Sequence, residues 1–278
     1  GDLRFSEAPP AGIAQPPMRD GDLLPYAYGF IRGDGTPSYG SPSDYFAGAY
    51  GDTFGHGFGL RIVARRTVDG VSFIQLARGS WVVADAVGVA RGSQLEGIAI
   101  REGEAIDFAF TRGRETRIYA SARGGRVVRR AGRREVVHVR ELVGQYAALT
   151  DGTFVRTADL NRVVVTDPPE GVTGDERWID VSIAEQVLVA YEGTRAVFAT
   201  LVSTGADRRG SQTPTGAFRI WAKLATSDMD DLERTDVESN YLIEGVPWVQ
   251  YFSGGIALHA AFWHCLLYTS PSPRDRTR

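Results

Sequence analysis

The chain has 278 residues, 43% of them apolar and 23% charged, with a net charge of −3, the balance of an ordinary globular protein with room for two or three small domains. That charge excludes a strong general pull towards nucleic acid or acidic lipid. A single cysteine, Cys265, excludes any internal disulfide.

Abundant Gly, Val, Thr and aromatic residues favour short strands and turns over long helices. No window approaches the run of about 18 apolar residues that spans a bilayer. The chain opens on Gly1 with neither a basic nor an apolar leader region, so no signal peptide is read here. The Pro-rich residues 1–22 read as an extended linker.

From Pro25 the pattern becomes short apolar runs split by Gly, Pro and Asp. Tyr26–Arg32, Leu60–Ala64 and Val71–Leu76 are predicted strands, with Asp69-Gly70 turning between the last two. Residues 36–59 read as a loop. Gly79-Ser80-Trp81-Val82-Val83-Ala84-Asp85 returns as Gly152-Thr153-Phe154-Val155-Arg156-Thr157-Ala158-Asp159, aligned with one extra residue in the second copy. Two small β modules, 23–88 and 106–165 with a connector at 89–105, explain this repeat. One irregular β domain explains it as well.

The second block carries ten arginines between Arg112 and Arg140. They read foremost as the solvated face of a hairpin, and otherwise as a face for an anionic polymer. No aromatic residue is interleaved from Ala120 to Arg140, which argues against single-stranded nucleic acid.

Asp167-Pro168-Pro169-Glu170-Gly171 is a linker. Beyond it, Arg177–Ser182, Val187–Glu192 and Ala196–Val202 are predicted strands, the last ending in Ser203-Thr204-Gly205. Thr213-Pro214-Thr215-Gly216-Ala217-Phe218 forms a tight turn that leads into a further strand. An acidic stretch, Asp228 to Glu238, reads as a loop or a flap and matches no calcium loop. Gly245–Phe252 and Gly254–His264 are apolar and strand-like, and His259 lies in the second of them.

The strands around Gln186 and Tyr191, the Val202–Gly205 strand end and the Thr213–Phe218 turn occur in an order and spacing that resembles the L,D-transpeptidase (YkuD-type) catalytic domain. The resemblance covers about 175–264. The repeated block likewise resembles the closing strand and turn of bacterial SH3-type wall-binding modules.

These resemblances imply a mainly β protein. One or two small SH3-like barrels precede an incomplete L,D-transpeptidase β-sandwich. They imply peptidoglycan stem peptides as partners, no nucleic acid, no cofactor, no metal, and a periplasmic or envelope location. His259 matches the family's strand-end histidine. Its near-neutral pKa suits it to activating a thiol, which is a poor nucleophile until it loses its proton. Trp248, Tyr251 and His264 are candidate walls of the acyl-donor groove, with core packing the alternative.

The family's Ser-His-Gly-Cys nucleophile motif occurs nowhere in the sequence. Cys265 follows His264 directly, and the polar, Pro-interrupted stretch 265–278 reads as a non-native tail. The expectation is therefore an active parent and an inactive chain whose last third has low stability. The alternative function is a non-catalytic wall binder acting through its β modules. A papain-like hydrolase fits poorly, because the cysteine there precedes the histidine and here follows all of them.

Overall fold

The structure, a computed structural model, describes residues 26–90, 95, 97–205, 212–232 and 240–261. It is mainly β. The described residues fall into two compact units, one formed by the stretches before Leu95 and after Ala217, the other by Leu95–Ala217.

The first unit opens with β1 (Ala27–Ile31), β2 (Thr36–Pro37), a short helix α1 (Pro42–Phe46) and β3 (Thr53–Phe54). The predicted 36–59 loop thus holds a helical turn, capped by Ser41 and Asp44 with Pro42 at its start. Then follow β4 (Gly59–Val68), β5 (Val71–Leu76), β6 (Trp81–Val83) and, after a 3-10 turn at Ala84–Ala86, β7 (Val87–Val89). The Asp69-Gly70 turn takes positive φ at both residues, 47° and 80°, as a two-residue hairpin of this hand requires. Ile31, Leu60, Ile74, Leu76 and Val82 are fully enclosed. Each contributes about 1.5–3 kcal/mol by leaving water.

The second unit contains β8 (Ile98–Ala99), β9 (Phe108–Thr111), β10 (Glu115–Tyr119), β11 (Val127–Gly132), β12 (Val136–Val143), β13 (Tyr146–Leu149), β14 (Phe154–Arg156) and β15 (Leu160–Arg162). It continues with β16 (Arg177–Ser182), β17 (Val187–Glu192) and β18 (Arg195–Leu201). One sheet runs β11-β10-β14-β13-β12-β9-β15, the other β16-β17-β18-β8. The predicted 89–105 connector therefore supplies a strand, because β8 pairs with β18 through Phe198↔Ala99. Phe108, Phe110, Val187, Val189 and Tyr191 share one apolar core.

The repeat seen in the sequence is a repeat of topology. β1 pairs with β4 and β7, and β9 pairs with β12 and β15, all antiparallel. The pairing slips at the same place in both copies. It jumps from Ile62↔Leu76 to Ala64↔Gln75 in one, and from Val139↔Leu149 to Glu141↔Ala148 in the other. Each copy turns through a glycine at positive φ, Gly79 at 96° and Gly152 at 82°. Each then enters a 3-10 turn from a residue at φ −65°, ψ 132°. This equivalence corrects the sequence alignment. Ala86 and Asp159 occupy the same position, receiving the N–H of Arg32 and Arg112 at 2.9 Å. From Gly79 to Ala86 and from Gly152 to Asp159 no extra residue separates the copies.

The chain returns to the first unit with β19 (Ala222–Asp230), β20 (Leu242–Ser253) and β21 (Ile256–Leu258). β20 pairs parallel to β4 through Ile243↔Gly59 and antiparallel to β19 and β21. Two predictions differ here. No strand directly follows the Thr213–Phe218 turn: Phe218 and Trp221 stay exposed, and pairing begins at Ala222. Asp228 and Asp230, read as loop, belong to β19, where Asp228 accepts the backbone N–H of Gly245 at 2.6 Å. Asp231 follows β19 and accepts the backbone N–H of Tyr241 at 2.6 Å, and residues 233–239 lie outside the described residues.

Candidate functional site

Within the first unit, β20 and β21 form a hairpin through Gly254-Gly255; Trp248 and Tyr251 lie on β20, and His259 directly follows β21. The register runs Ser253↔Ile256, Tyr251↔Ala257 and Gln250↔Leu258. Beyond β21 the N–H of Ala260 reaches the carbonyl of Pro247 at 3.0 Å. His259 is therefore held between two fixed points, level with the Trp248–Val249 stretch of β20. It is half-buried, and its Nδ1 lies 3.2 Å from the carbonyl oxygen of Ala260. With a proton on Nδ1 donated to that carbonyl, Nε2 carries the lone pair that a base needs.

Trp248 is the conformational outlier of this hairpin. It sits at φ 57° in the middle of a long strand, flanked by buried Pro247 and Val249, yet is 61% exposed. A bulky residue in the left-handed region costs about 1–2 kcal/mol. Such backbone persists where its surroundings over-determine it, and it concentrates at binding sites.

Tyr251 has a double role. Its ring packs on the cluster of Tyr28, Ile243, Val246 and Val249 and stacks on Trp221, centroids 5.5 Å apart. Its hydroxyl lies 3.0 Å from Ser227 Oγ. The 63%-exposed Trp221 was not singled out from the sequence. The available signal was a large aromatic just past the Pro214–Gly216 turn. His264 and Cys265 lie outside the described residues.

In the second unit, the Val202–Gly205 strand end is fixed by one side chain. Gln186, at φ 54°, donates from Nε2 to Thr204 Oγ1 at 2.7 Å. Its Oε1 accepts the N–H of Thr204 at 3.0 Å. The N–H of Gly205 in turn reaches Thr213 Oγ1 at 2.8 Å. The motifs around Gln186, Thr204 and Thr213 are thus joined by hydrogen bonds. Nearby, the ring of Trp178 stacks on that of Tyr191 at 4.0 Å. Among the described residues no group of three His, Cys, Asp or Glu side chains is placed to hold a metal ion, and no helix is long and apolar enough to cross a membrane.

Residues 176–276 match the family model of the L,D-transpeptidase catalytic domain. The matched range takes in β16–β18 of the second unit and β19–β21 of the first, and it runs past His264 and Cys265. No curated protein and no solved structure matches the chain.

Proposed function

We propose that the parent of this chain is a peptidoglycan L,D-transpeptidase of the cell envelope, with residues 175–264 belonging to its catalytic domain. The family match over 176–276 carries this reading. In it, a cysteine thiolate attacks the carbonyl of the third residue of one stem peptide. The displaced residue leaves as an amine, taking the proton that His259 received from the thiol, and a thioester remains. A side-chain amine of a second stem then attacks the thioester, and the thiol is regenerated. Trp248 and Tyr251 form walls of the acyl-donor groove.

The nucleophile is not Cys265, which lacks the Ser-His-Gly-Cys setting, although the family match continues to residue 276. The chain itself is inactive. Two experiments test this. Incubation with a carbapenem followed by intact-mass measurement yields no adduct on Cys265; an adduct there, lost in His259→Ala, overturns the inactive-chain reading. The parent reading frame beyond codon 264 encodes Ser-His-Gly-Cys, and its product loses roughly 10²–10⁴ in kcat on His259→Ala. An intact frame without that motif sinks the enzymatic assignment.

The second reading, a wall-binding protein, has its own support in the duplicated module. The shared pairing, bulge and 3-10 turn fit two SH3-like barrels at 23–88 and 106–165. Sedimentation with purified sacculi that is indifferent to His259→Ala, from a parent frame lacking the nucleophile motif, favours it over the first.

A further inference from the structure

The duplication allows the arginine-rich second copy to be compared with a copy that builds the same sheet without it. In the first copy, Phe73 lies opposite Val83, and the rings of Tyr45 and Phe46 close edge-on over Phe73. In the second, Tyr146 lies opposite Arg156 at the equivalent position, and Tyr119 closes edge-on over Tyr146 at 5.8 Å. The fold therefore does not require an arginine at 156, since a valine serves in the other copy.

Register extends this into a row. Arg117 of β10 lies directly opposite Arg130 of β11. On its other side, β10 pairs with β14 through Ile118↔Val155, which brings Arg117 level with Arg156 at the next step. Three guanidinium-bearing residues thus stand side by side on one face of three adjacent strands, neighbouring strands being about 4.8 Å apart. All three are exposed. Glu115 pairs with Arg130. Arg156 stands directly opposite Tyr146 across the β13–β14 pair. Arg117 forms no ion pair among the described residues. Arg123 and Arg126, also exposed, extend the positive surface along the β10–β11 turn. Like charges directly opposite across strands destabilise a sheet, so the row disfavours the empty fold.

We infer that this face, Arg130-Arg117-Arg156, binds the phosphate groups of an anionic envelope polymer. Guanidinium forks match phosphate oxygens in pairs, and a row of them suits successive charges along a flexible chain. Nucleic acid fits less well. Tyr119 is 7% exposed and Tyr146 half-buried, and both rings are engaged with each other, so bases find no stacking platform. The choice of an envelope polymer rests on the location proposed above; the anion site itself does not depend on catalysis.

The test titrates the full chain with poly(glycerol phosphate) and, separately, with a single-stranded oligonucleotide of equal charge. Binding of the first is expected to be tighter and to weaken steeply with salt. The variant Arg117→Gln/Arg130→Gln/Arg156→Gln loses at least about tenfold in affinity and shows a salt slope smaller by roughly three. A control of equal charge change, Arg65→Gln/Arg66→Gln/Arg101→Gln, binds as the parent does. The triple row variant also melts at the same or a higher temperature, because repulsion is relieved. Unchanged affinity in the row variant, equal loss in the control, a lowered melting temperature in the row variant, or tighter binding of the oligonucleotide overturns the inference. A chain that binds poly(glycerol phosphate) but has no transpeptidating parent leaves it standing.

Discussion

The guanidinium of Arg78 closes on one carboxylate oxygen of Glu244, with Nε at 2.7 Å, while the other oxygen accepts the backbone N–H of Arg61 at 3.1 Å. Glu244 has a side-chain exposure of 7%, and Arg78 keeps 41%. The charge on β20 is thus answered from the β5–β6 turn of the first module. Removing only the cation leaves a buried carboxylate short of a donor. Arg78→Ala is expected to cost about 1–3 kcal/mol in urea unfolding, the low side being favoured because Arg78 remains partly in water. Adding Glu244→Gln returns part of that loss. A double variant that is the sum of its singles would show that the pair is not coupled.

Trp248 holds a left-handed backbone that glycine adopts freely. Trp248→Gly is expected to be about 1 kcal/mol more stable than Trp248→Ala, the reverse of the usual order in a strand. Chemical denaturation of the two variants measures this, and Ala at or above Gly refutes the strain.

Gln186 is the clamp on Thr204. Gln186→Ala is expected to speed hydrogen exchange at the Thr204 amide and to cost about 1–3 kcal/mol. Unaltered exchange at Thr204 would mean that the strand end is held by its ladder alone.

Asp151, in the turn between β13 and β14, is held below its ordinary pKa of 3.8, chiefly by the Thr153 side chain and then by that residue's backbone N–H. A depressed carboxylate stabilises above its unfolded pKa and loses that contribution as pH falls through the folded value. Asp151→Ala should therefore be less stable than the parent at pH 7, with the gap closing as pH falls through the folded-state pKa of Asp151. A gap independent of pH would assign the loss to the turn backbone.

The sequence made local structure legible where period and turn chemistry agree. Val71–Leu76, Arg177–Ser182 and Val187–Glu192 are short apolar-rich runs bounded by turn residues, and they are strands with those bounds. The β4 strand was read short, ending at Ala64, because its outer half is polar and gains its place only by pairing with β5. β8 has two residues and exists only through β18. The parallel step between β20 and β4 leaves no local trace at all. At the candidate site, His259, Trp248 and Tyr251 were visible as residue types in an apolar run. The bent backbone at Trp248 and the exposed Trp221 were not, since each is defined by packing across strands rather than along one.

The pairing of β20 with β4 has a temporal side. Arg61 and Glu244 are 183 residues apart. At about 5–20 residues per second, a ribosome needs on the order of 10–40 s to deliver the second after the first. Over that interval β4 emerges without its parallel neighbour, and Tyr28 without the Gly245 carbonyl its hydroxyl reaches at 2.6 Å. Strands β1 and β4 wait for β20.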